Sequence, residues 1–285
     1  MLRRPGYCAD MTQVWSMHDA ARALTRPTAA DDKYSRGVLG IRTGSDEYPG
    51  AAVLGVEAAW RTGLGMVRYL GPSRPTALVL ARRPETVAAE GRVQAWVIGS
   101  GTDPSARSVA ESDVLRGLLA EDEPVVVDAG ALDLAAGATA PRILTPHVRE
   151  HARLRSALGL AESEDPVAAT RETAARTGAV VLLKGATTVI AAPDGWTTTV
   201  ASGTPWLATA GTGDVLAGVI GALVAGAAAS DWPDASALAA LAASGAWLHG
   251  HAAGLASAAV GGGPITALDV AEALPRAVAE VLAVQ

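Results

Sequence analysis

Short runs of consecutive apolar residues alternate along this chain with alanine-rich stretches of helical spacing. Val38–Leu39–Gly40–Ile41 reads as a strand that ends at Thr43–Gly44–Ser45, and Ala51–Leu64 follows as a helix behind Pro49–Gly50. Further strands are predicted at Gly65–Leu70, Ala95–Ile98, Pro124–Val127, Arg142–Leu144 and Ala179–Leu183, with a shorter one at Ala77–Leu80. Helices are predicted over Thr12–Leu24, Ala106–Leu119, His151–Leu158, Pro166–Thr177, Gly211–Gly226, Ala235–Ser257 and Ala267–Val284, the last kinked or split at Pro275. Thr188–Ala192 and Trp196–Val200 flank Pro193–Asp194–Gly195, a hairpin signal. Unbroken apolar strands between helices imply parallel βαβ units covered on both faces, hence an α/β fold. Chemistry in such folds gathers at the carboxyl ends of the strands. There this chain places Ser45, Gly101, Asp128, His147 and Lys184.

Composition narrows the field. The 285 residues are 49% hydrophobic and 18% charged, enough apolar surface to offset chain entropy, which excludes a disordered protein. Residues 1–32 are polar and irregular and read as an N-terminal arm, and 33–285 as one domain. The single cysteine, Cys8, excludes an intrachain disulfide and a cysteine-based zinc site. A net charge of -6 argues against a nucleic-acid partner. The mean hydropathy of +0.24 owes much to alanine. The most apolar stretch, Val215–Ala229, is interrupted by glycines and falls short of the ~20 residues that a membrane span needs. The N-terminus has no apolar core of a secretory signal, so a cytoplasmic protein without a membrane partner is expected. Lys33 and Lys184 are the only lysines in an arginine-rich chain.

The strongest local motif is Gly211–Thr212–Gly213–Asp214 at the head of a helix. Glycines permit close approach of a ligand, and the open N–H groups of a helix start attract anions. Asp214 in the first turn could hold a substrate hydroxyl or act as a base; the same residues also suit a plain turn and cap. Lys184–Gly185–Ala186–Thr187–Thr188, just after a buried strand, suits phosphate contact, and equally a solvated lysine. Thr145–Pro146–His147 with Arg149 and Glu150 is either a site loop or a capped helix start. Asp128 could reach a metal-bound water or a ligand hydroxyl, or cap the next segment. His249 and His251 stand two apart on a predicted helix, so they face differently and make a poor metal pair. No Gly-x-Ser-x-Gly elbow and no P-loop occurs.

In this order the motifs resemble the ADP/ATP-dependent NAD(P)H-hydrate dehydratase family of the ribokinase-like superfamily. The resemblance runs from about Lys33 to Leu282 and includes Gly44–Ser45, Tyr48–Pro49–Gly50–Ala51–Ala52, Gly99–Ser100–Gly101, Val127–Asp128–Ala129, Thr145–Pro146–His147, Lys184–Gly185 and Gly211–Thr212–Gly213–Asp214. It implies a three-layer αβα ribokinase-like fold with a mostly parallel central sheet. It also implies repair of hydrated NADH and NADPH: a nucleotide phosphorylates the ring hydroxyl, and phosphate then leaves. Carried onto this chain, Asp214 would be the catalytic base and contact the substrate, and Ala51, Gly101 and His147 would line the hydrate site. Lys184, Gly185, Ala186, Thr187, Thr188 and Gly213 would bind the nucleotide. The resemblance implies ADP or ATP as phosphoryl donor and Mg2+ to offset phosphate charge; no residue is assigned as a metal ligand. A homo-oligomer is expected, with a tetramer as the candidate size, although the alanine-rich helix 235–257 could equally be buried within one subunit. The arm before Lys33 is too short for the epimerase domain often fused ahead in this family. The family pattern is altered at Tyr34, Ser100 and Arg149. Two alternatives stand beside this reading: a ribokinase-like kinase of a thiazole or pyrimidine alcohol, and a catalytically silent nucleotide-binding homologue.

Overall fold

The structure, a computed structural model, describes residues 13–285. Cys8 and the start of the chain, on which the secretory-signal argument rested, lie outside the described residues. The elements in chain order are β1 (Gln13–Val14), α1 (Met17–Ala21), β2 (Val38–Arg42), α2 (Pro49–Thr62), β3 (Met66–Tyr69), α3 (Ser73–Arg82), β4 (Ala95–Ile98), α4 (Val109–Leu118), β5 (Val125–Val127), β6 (Arg142–Leu144), α5 (Val148–Ala157), α6 (Pro166–Thr177), β7 (Val180–Leu183), β8 (Thr188–Ala191), β9 (Thr197–Val200), α7 (Thr212–Ala228), α8 (Ala235–Ala259) and α9 (Ala267–Leu282). Two 3₁₀ turns, Ala129–Leu134 and Pro205–Leu207, join them.

The strands form one sheet in the order β1-β9-β8-β7-β6-β5-β4-β2-β3. Every pairing is parallel except the two made by β8, which the hairpin turn at Gly195 folds back between β7 and β9. Side chains alternate across the sheet as a pleated strand requires. Leu39, Ile41, Val97, Val126, Ile143 and Leu182 face one core, under α2, α7, α8 and α9. Ile98, Val125, Val127, Leu144 and Val181 face a second, smaller one on the side of α4, α5 and α6. Two cores, one on each sheet face, make the arrangement the expected three layers.

Three sequence expectations are corrected. Ala77–Leu80 is not a strand but the middle of α3. A short apolar run is ambiguous by itself, and here Pro75 and Val79, four apart, are the buried pair while Leu78 faces solvent. The helix expected from Ala106 starts at Val109, where the Ser108 hydroxyl accepts from the Glu111 amide. The expected helix over Thr12–Leu24 shrinks to α1, because Gln13 and Val14 pair with Thr198 and Thr199 at the sheet edge. α9 runs unsplit through Pro275.

α7 lies unusually close to its neighbours. A Cβ at Gly218 would fall 2.3 Å from the Gly55 carbonyl oxygen of α2, and one at Gly221 would fall 2.3 Å from Val97 of β4. This tight seat fixes the head of α7 relative to the strand ends. Behind it, α2 carries a fully buried carboxylate, Glu57. Arg61, Arg83 and Arg82 converge on it at 2.5, 2.5 and 3.3 Å. Burial raises its pKa, but hydrogen bonds from Arg83, Arg61 and Arg82 outweigh that and bring it down to about 2. Arg82 reaches on to Glu272 of α9 at 2.7 Å, so the knot ties α2, α3 and α9 together.

Candidate active site

In-register pairing of β4, β5, β6 and β7 brings their carboxyl ends level. The parallel ladder continues past β6 and β7, with the Lys184 amide donating to the Pro146 carbonyl at 2.9 Å and His147 bridged to Lys184. Residues far apart in sequence therefore meet in one row: Ser100 after β4, Asp128 after β5, Thr145 and His147 after β6, and Lys184 after β7.

Asp128 is the hub of that row. Its Oδ2 accepts from the Ser100 hydroxyl at 2.9 Å, and its Oδ1 accepts from the Thr145 hydroxyl at 2.8 Å and from Lys184 Nζ at 2.7 Å. Glu150 Oε2 stands 3.9 Å from the same ammonium. Burial works to lower the Lys184 pKa, but the Asp128 and Glu150 carboxylates outweigh it and hold the group above its ordinary value. His147 and Glu150 form a capping box at the head of α5: His147 Nδ1 accepts from the Arg149 and Glu150 amides, and Glu150 accepts from the His147 amide. The helix-start reading is seen here, with His147 rather than Thr145 as the capping side chain, and His147 also lies on a cavity wall.

The head of α7 faces this row. Gly211, at φ 89°, starts the helix with no side-chain cap. The Thr212 hydroxyl turns back to the Leu207 and Thr209 carbonyls, and the Asp214 and Val215 amides are taken by the Gly211 carbonyl. Among the described residues the Thr212 and Gly213 amides have no acceptor, which leaves them as the open donors of an anion-attracting helix start. A Cβ at Gly213 would sit 3.5 Å from Lys184 Nζ, so the ammonium lies directly beside this cradle. Asp214 makes no side-chain hydrogen bond among the described residues. Burial first, and the nearby Asp128 charge second, push its pKa up to about 7, against the opposing pull of Lys184. A carboxyl group poised near neutrality can take a proton from an alcohol and hand it on.

A cavity of about 660 Å³ opens against this cluster. His147, Lys184, Gly185, Ala186, Thr188 and Gly213 line it, with an apolar wall that includes Val200, Leu207, Leu216 and Ala246. Such a mostly apolar hollow with a few convergent polar groups suits a small organic ligand, and its volume suits a mononucleotide. Thr187 adjoins the lining. Ala51 and Gly101 lie apart from it but in mutual contact: a Cβ at Gly101, whose φ is 66°, would fall 2.3 Å from Ala51 Cβ. Asp214 itself is not among the residues that line the cavity. Its residue neighbour Gly213 lines the cavity, while its carbonyl lies 3.5 Å from where a Gly55 Cβ would be, one turn of α2 beyond Ala51.

Sequence reasoning found no signal for Ser202, Gly203, Thr204, Pro205 and Leu207, which form one wall, and His249, expected to be structural, lies in another. Burial keeps the His249 imidazole neutral, with its pKa lowered to about 4. Trp206 pins the first wall by donating to the Gly262 carbonyl at 3.0 Å. Irregular backbone of this kind carries no periodic signal. His251 turns away, as its spacing implied, stacking on Trp247 and pairing with Glu280. Among the described residues no group of three or more His, Cys, Asp or Glu side chains could hold a metal ion, and no helix is long and apolar enough to cross a membrane.

The model of the family described as NAD(P)H-hydrate dehydratase matches residues 39–276. The chain is 36% identical over 237 residues to the ADP-dependent (S)-NAD(P)H-hydrate dehydratase of Neisseria meningitidis serogroup B, covering 76% of each chain. It is 45% identical over 219 residues to the bifunctional NAD(P)H-hydrate repair enzyme of Mycobacterium tuberculosis, covering 73% of this chain and 45% of that one. The chain therefore spans about half the length of the bifunctional relatives it matches. Among solved structures, it resembles an ADP/ATP-dependent NAD(P)H-hydrate dehydratase from Bacillus subtilis co-crystallized with ATP and Mg2+, at a TM-score of 0.81 and 28% identity, covering 96% of this chain and all of that one. A ribokinase-like superfamily protein from Enterococcus faecalis, 22% identical with a TM-score of 0.80, shares the fold.

Proposed function

The chain belongs to the NAD(P)H-hydrate dehydratase family, and on that premise we propose that it restores hydrated NADH and NADPH with an adenine nucleotide, ADP or ATP, as phosphoryl donor. The observation that carries the proposal is a single juxtaposition. A carboxyl group poised near pH 7, Asp214, follows directly on the glycine that links an amide cradle, a fixed ammonium and a nucleotide-sized cavity.

In this reading Lys184, Gly185, Ala186, Thr187 and Thr188 hold the nucleotide, and its terminal phosphoryl group rests against the Thr212 and Gly213 amides. The hydrated ring enters from the side of Ala51 and Gly101, with His147 at the rim. Asp214 takes the proton of the ring hydroxyl as that oxygen bonds to the terminal phosphorus, and the bond from phosphorus to the departing nucleotide breaks. The ring carbon then releases the phosphate ester as inorganic phosphate, a neighbouring proton is lost, and the double bond returns. Positioning and charge stabilisation are most of what phosphoryl transfer asks of a protein. The donor set does not build a resident metal cage: no three acidic or imidazole groups converge among the described residues, and Asp128 and Glu150 at the strand ends are engaged with Lys184. Magnesium, which keeps several waters and binds largely through phosphates, would come with the nucleotide.

The test is incubation with hydrated NADH, Mg2+ and either ADP or ATP, following nicotinamide absorbance and free phosphate. Recovery of both signals in step supports the proposal. A stable phosphate ester of an added thiazole or pyrimidine alcohol, with no recovery of absorbance, would favour a kinase. Nucleotide binding with neither product would point to a silent homologue.

A further inference from the structure

Lys184 presents a puzzle of placement. Its ammonium is a compact charge on a flexible four-carbon stem, and such groups ordinarily reach for water. Here the side chain is only 20% exposed, and its Nζ lies beside the one cradle residue that has no side chain to shield it. What keeps it there is Asp128, whose side chain is 3% exposed. That carboxylate is itself fixed from two different strand ends, by Ser100 after β4 and Thr145 after β6. The residue that follows it, Ala129, has φ 43° and is the only non-glycine with positive φ among the described residues. Backbone strain of that kind persists where surrounding structure imposes it, and it clusters at functional sites.

We propose that Asp128 is the positioning residue of this site: clamped by the Ser100 and Thr145 hydroxyls, it holds the Lys184 ammonium against Gly213, where the migrating phosphoryl group rests. Its oxygens already accept from three partners, one of which is the Lys184 ammonium, so the role assigned to it is to act through Lys184. Its negative charge also sits close enough to Asp214 to oppose ionisation of the base. Ligand phosphate is then met by a cation already in place, and no lysine has to be ordered in the transition state. The inference rests on the phosphoryl-transfer reading above.

The charged and titratable groups that bear on the test are few. Asp128 and Lys184 face Asp214 from the strand ends, Glu150 of α5 faces Lys184, His147 at the head of α5 is bridged to Lys184 through the backbone, and His249 of α8 lies in the cavity wall within the field of Lys184. Removing the Asp128 charge takes a like charge from Asp214 and frees Lys184 to pair with it. Both effects lower the pKa of the base.

The experiment is a double-mutant cycle of Asp128→Asn and Lys184→Met, with ADP affinity by calorimetry and turnover of hydrated NADH across pH. Asp128→Asn should lower kcat about ten- to a hundredfold, weaken ADP binding, and move the acid limb of the rate profile to lower pH. In the Lys184→Met background the same substitution should add little to the losses of ADP affinity and of kcat at the pH plateau, because an effect exerted through Lys184 disappears when Lys184 is gone, while the direct shift of the acid limb remains. Fully additive losses, or an unmoved acid limb, would overturn the proposal. Thr145→Val and Ser100→Ala, which loosen the clamp without removing a charge, should weaken ADP binding about two- to fivefold if Asp128→Asn fails to fold. Unchanged affinity in both would also overturn it. A wild-type chain with no turnover would instead sink the phosphoryl-transfer reading, leaving the calorimetric arm to judge the clamp.

Discussion

Two carboxylates on neighbouring helices show how one fold divides its tasks. Glu57 on α2 and Asp214 on α7 are both withdrawn from water, yet the first titrates at about 2 and the second at about 7. The difference is their company. Glu57 is met by three guanidinium groups at hydrogen-bond distance, which repay its desolvation. Among the described residues the Asp214 side chain receives no hydrogen bond, and the cation acting on it, Lys184, is already claimed by Asp128. A carboxylate that is fully satisfied holds helices together; one left short of partners keeps a proton within reach of neutrality and is free to move it.

The comparison breaks first at Asp214. Asp214→Asn should lower kcat about 10²–10⁴-fold, the usual cost of losing a general base, with ADP affinity little changed. The fold should gain from the same change. The folded-state pKa of Asp214 is raised from 3.8 to about 7, so stability falls as pH climbs between those two values and stays reduced above about 7, while below 3.8 the group carries no penalty. Asn should therefore raise Tm at pH 8 and leave it unchanged near pH 3. A variant with near-normal turnover, or with a lower Tm at pH 8, would remove Asp214 from its role.

Glu57 should respond in the opposite sense. Glu57→Gln leaves three arginines crowded around a neutral group and should cost about 3–5 kcal/mol of stability by denaturant unfolding. The folded fraction should turn over substrate at an ordinary rate, since no Glu57 partner lies on the cavity. A loss of kcat without loss of stability would mean that the knot is part of the site.

Acid should separate the two without mutation. A carboxylate whose pKa is lowered in the fold contributes stability above its unfolded value of 4.5 and loses it as pH falls toward 2, so Glu57 accounts for about 3 kcal/mol over that window. Activity should fail much earlier, with kcat/KM falling as pH drops through about 7 because Asp214 must be ionised to accept a proton. Rate and unfolding measured on one pH series check this: coincident midpoints would mean that a single group governs both.

What could be read from the sequence follows the same division. The strand ends were legible because a buried parallel strand is a bare apolar run, and the polar residue that stops it is conspicuous, as at Asp128, His147 and Lys184. The head of α7 was legible because its glycines and aspartate lie side by side in the chain. The arginine knot was not: Glu57 looks like any helix surface residue, and two of its partners lie 25 and 26 positions away. The ion pair of Asp128 with Lys184, 56 positions apart, depends on strand order, which periodicity does not encode. Ala77–Leu80 misled because so short an apolar run fits either period, and what decides it, the packing of α3 on α2 with Val79 buried, is tertiary.

The smallest effect is expected at Ala129, and it sharpens the contrast between a satisfied knot and a strained site. Its φ of 43° costs a residue with a Cβ about 1–2 kcal/mol, which glycine would not incur. Glycine also gives the unfolded chain more freedom, worth about 0.4–1 kcal/mol in the other direction. Ala129→Gly should therefore shift stability upward by about 0–1.6 kcal/mol. If the turn helps to aim the neighbouring carboxylate, that gain should come with weaker ADP binding, because a looser Asp128 holds Lys184 less firmly. Equal binding with higher stability would show that the strain is tolerated without serving the site, and that the hydroxyls of Ser100 and Thr145 fix the carboxylate by themselves.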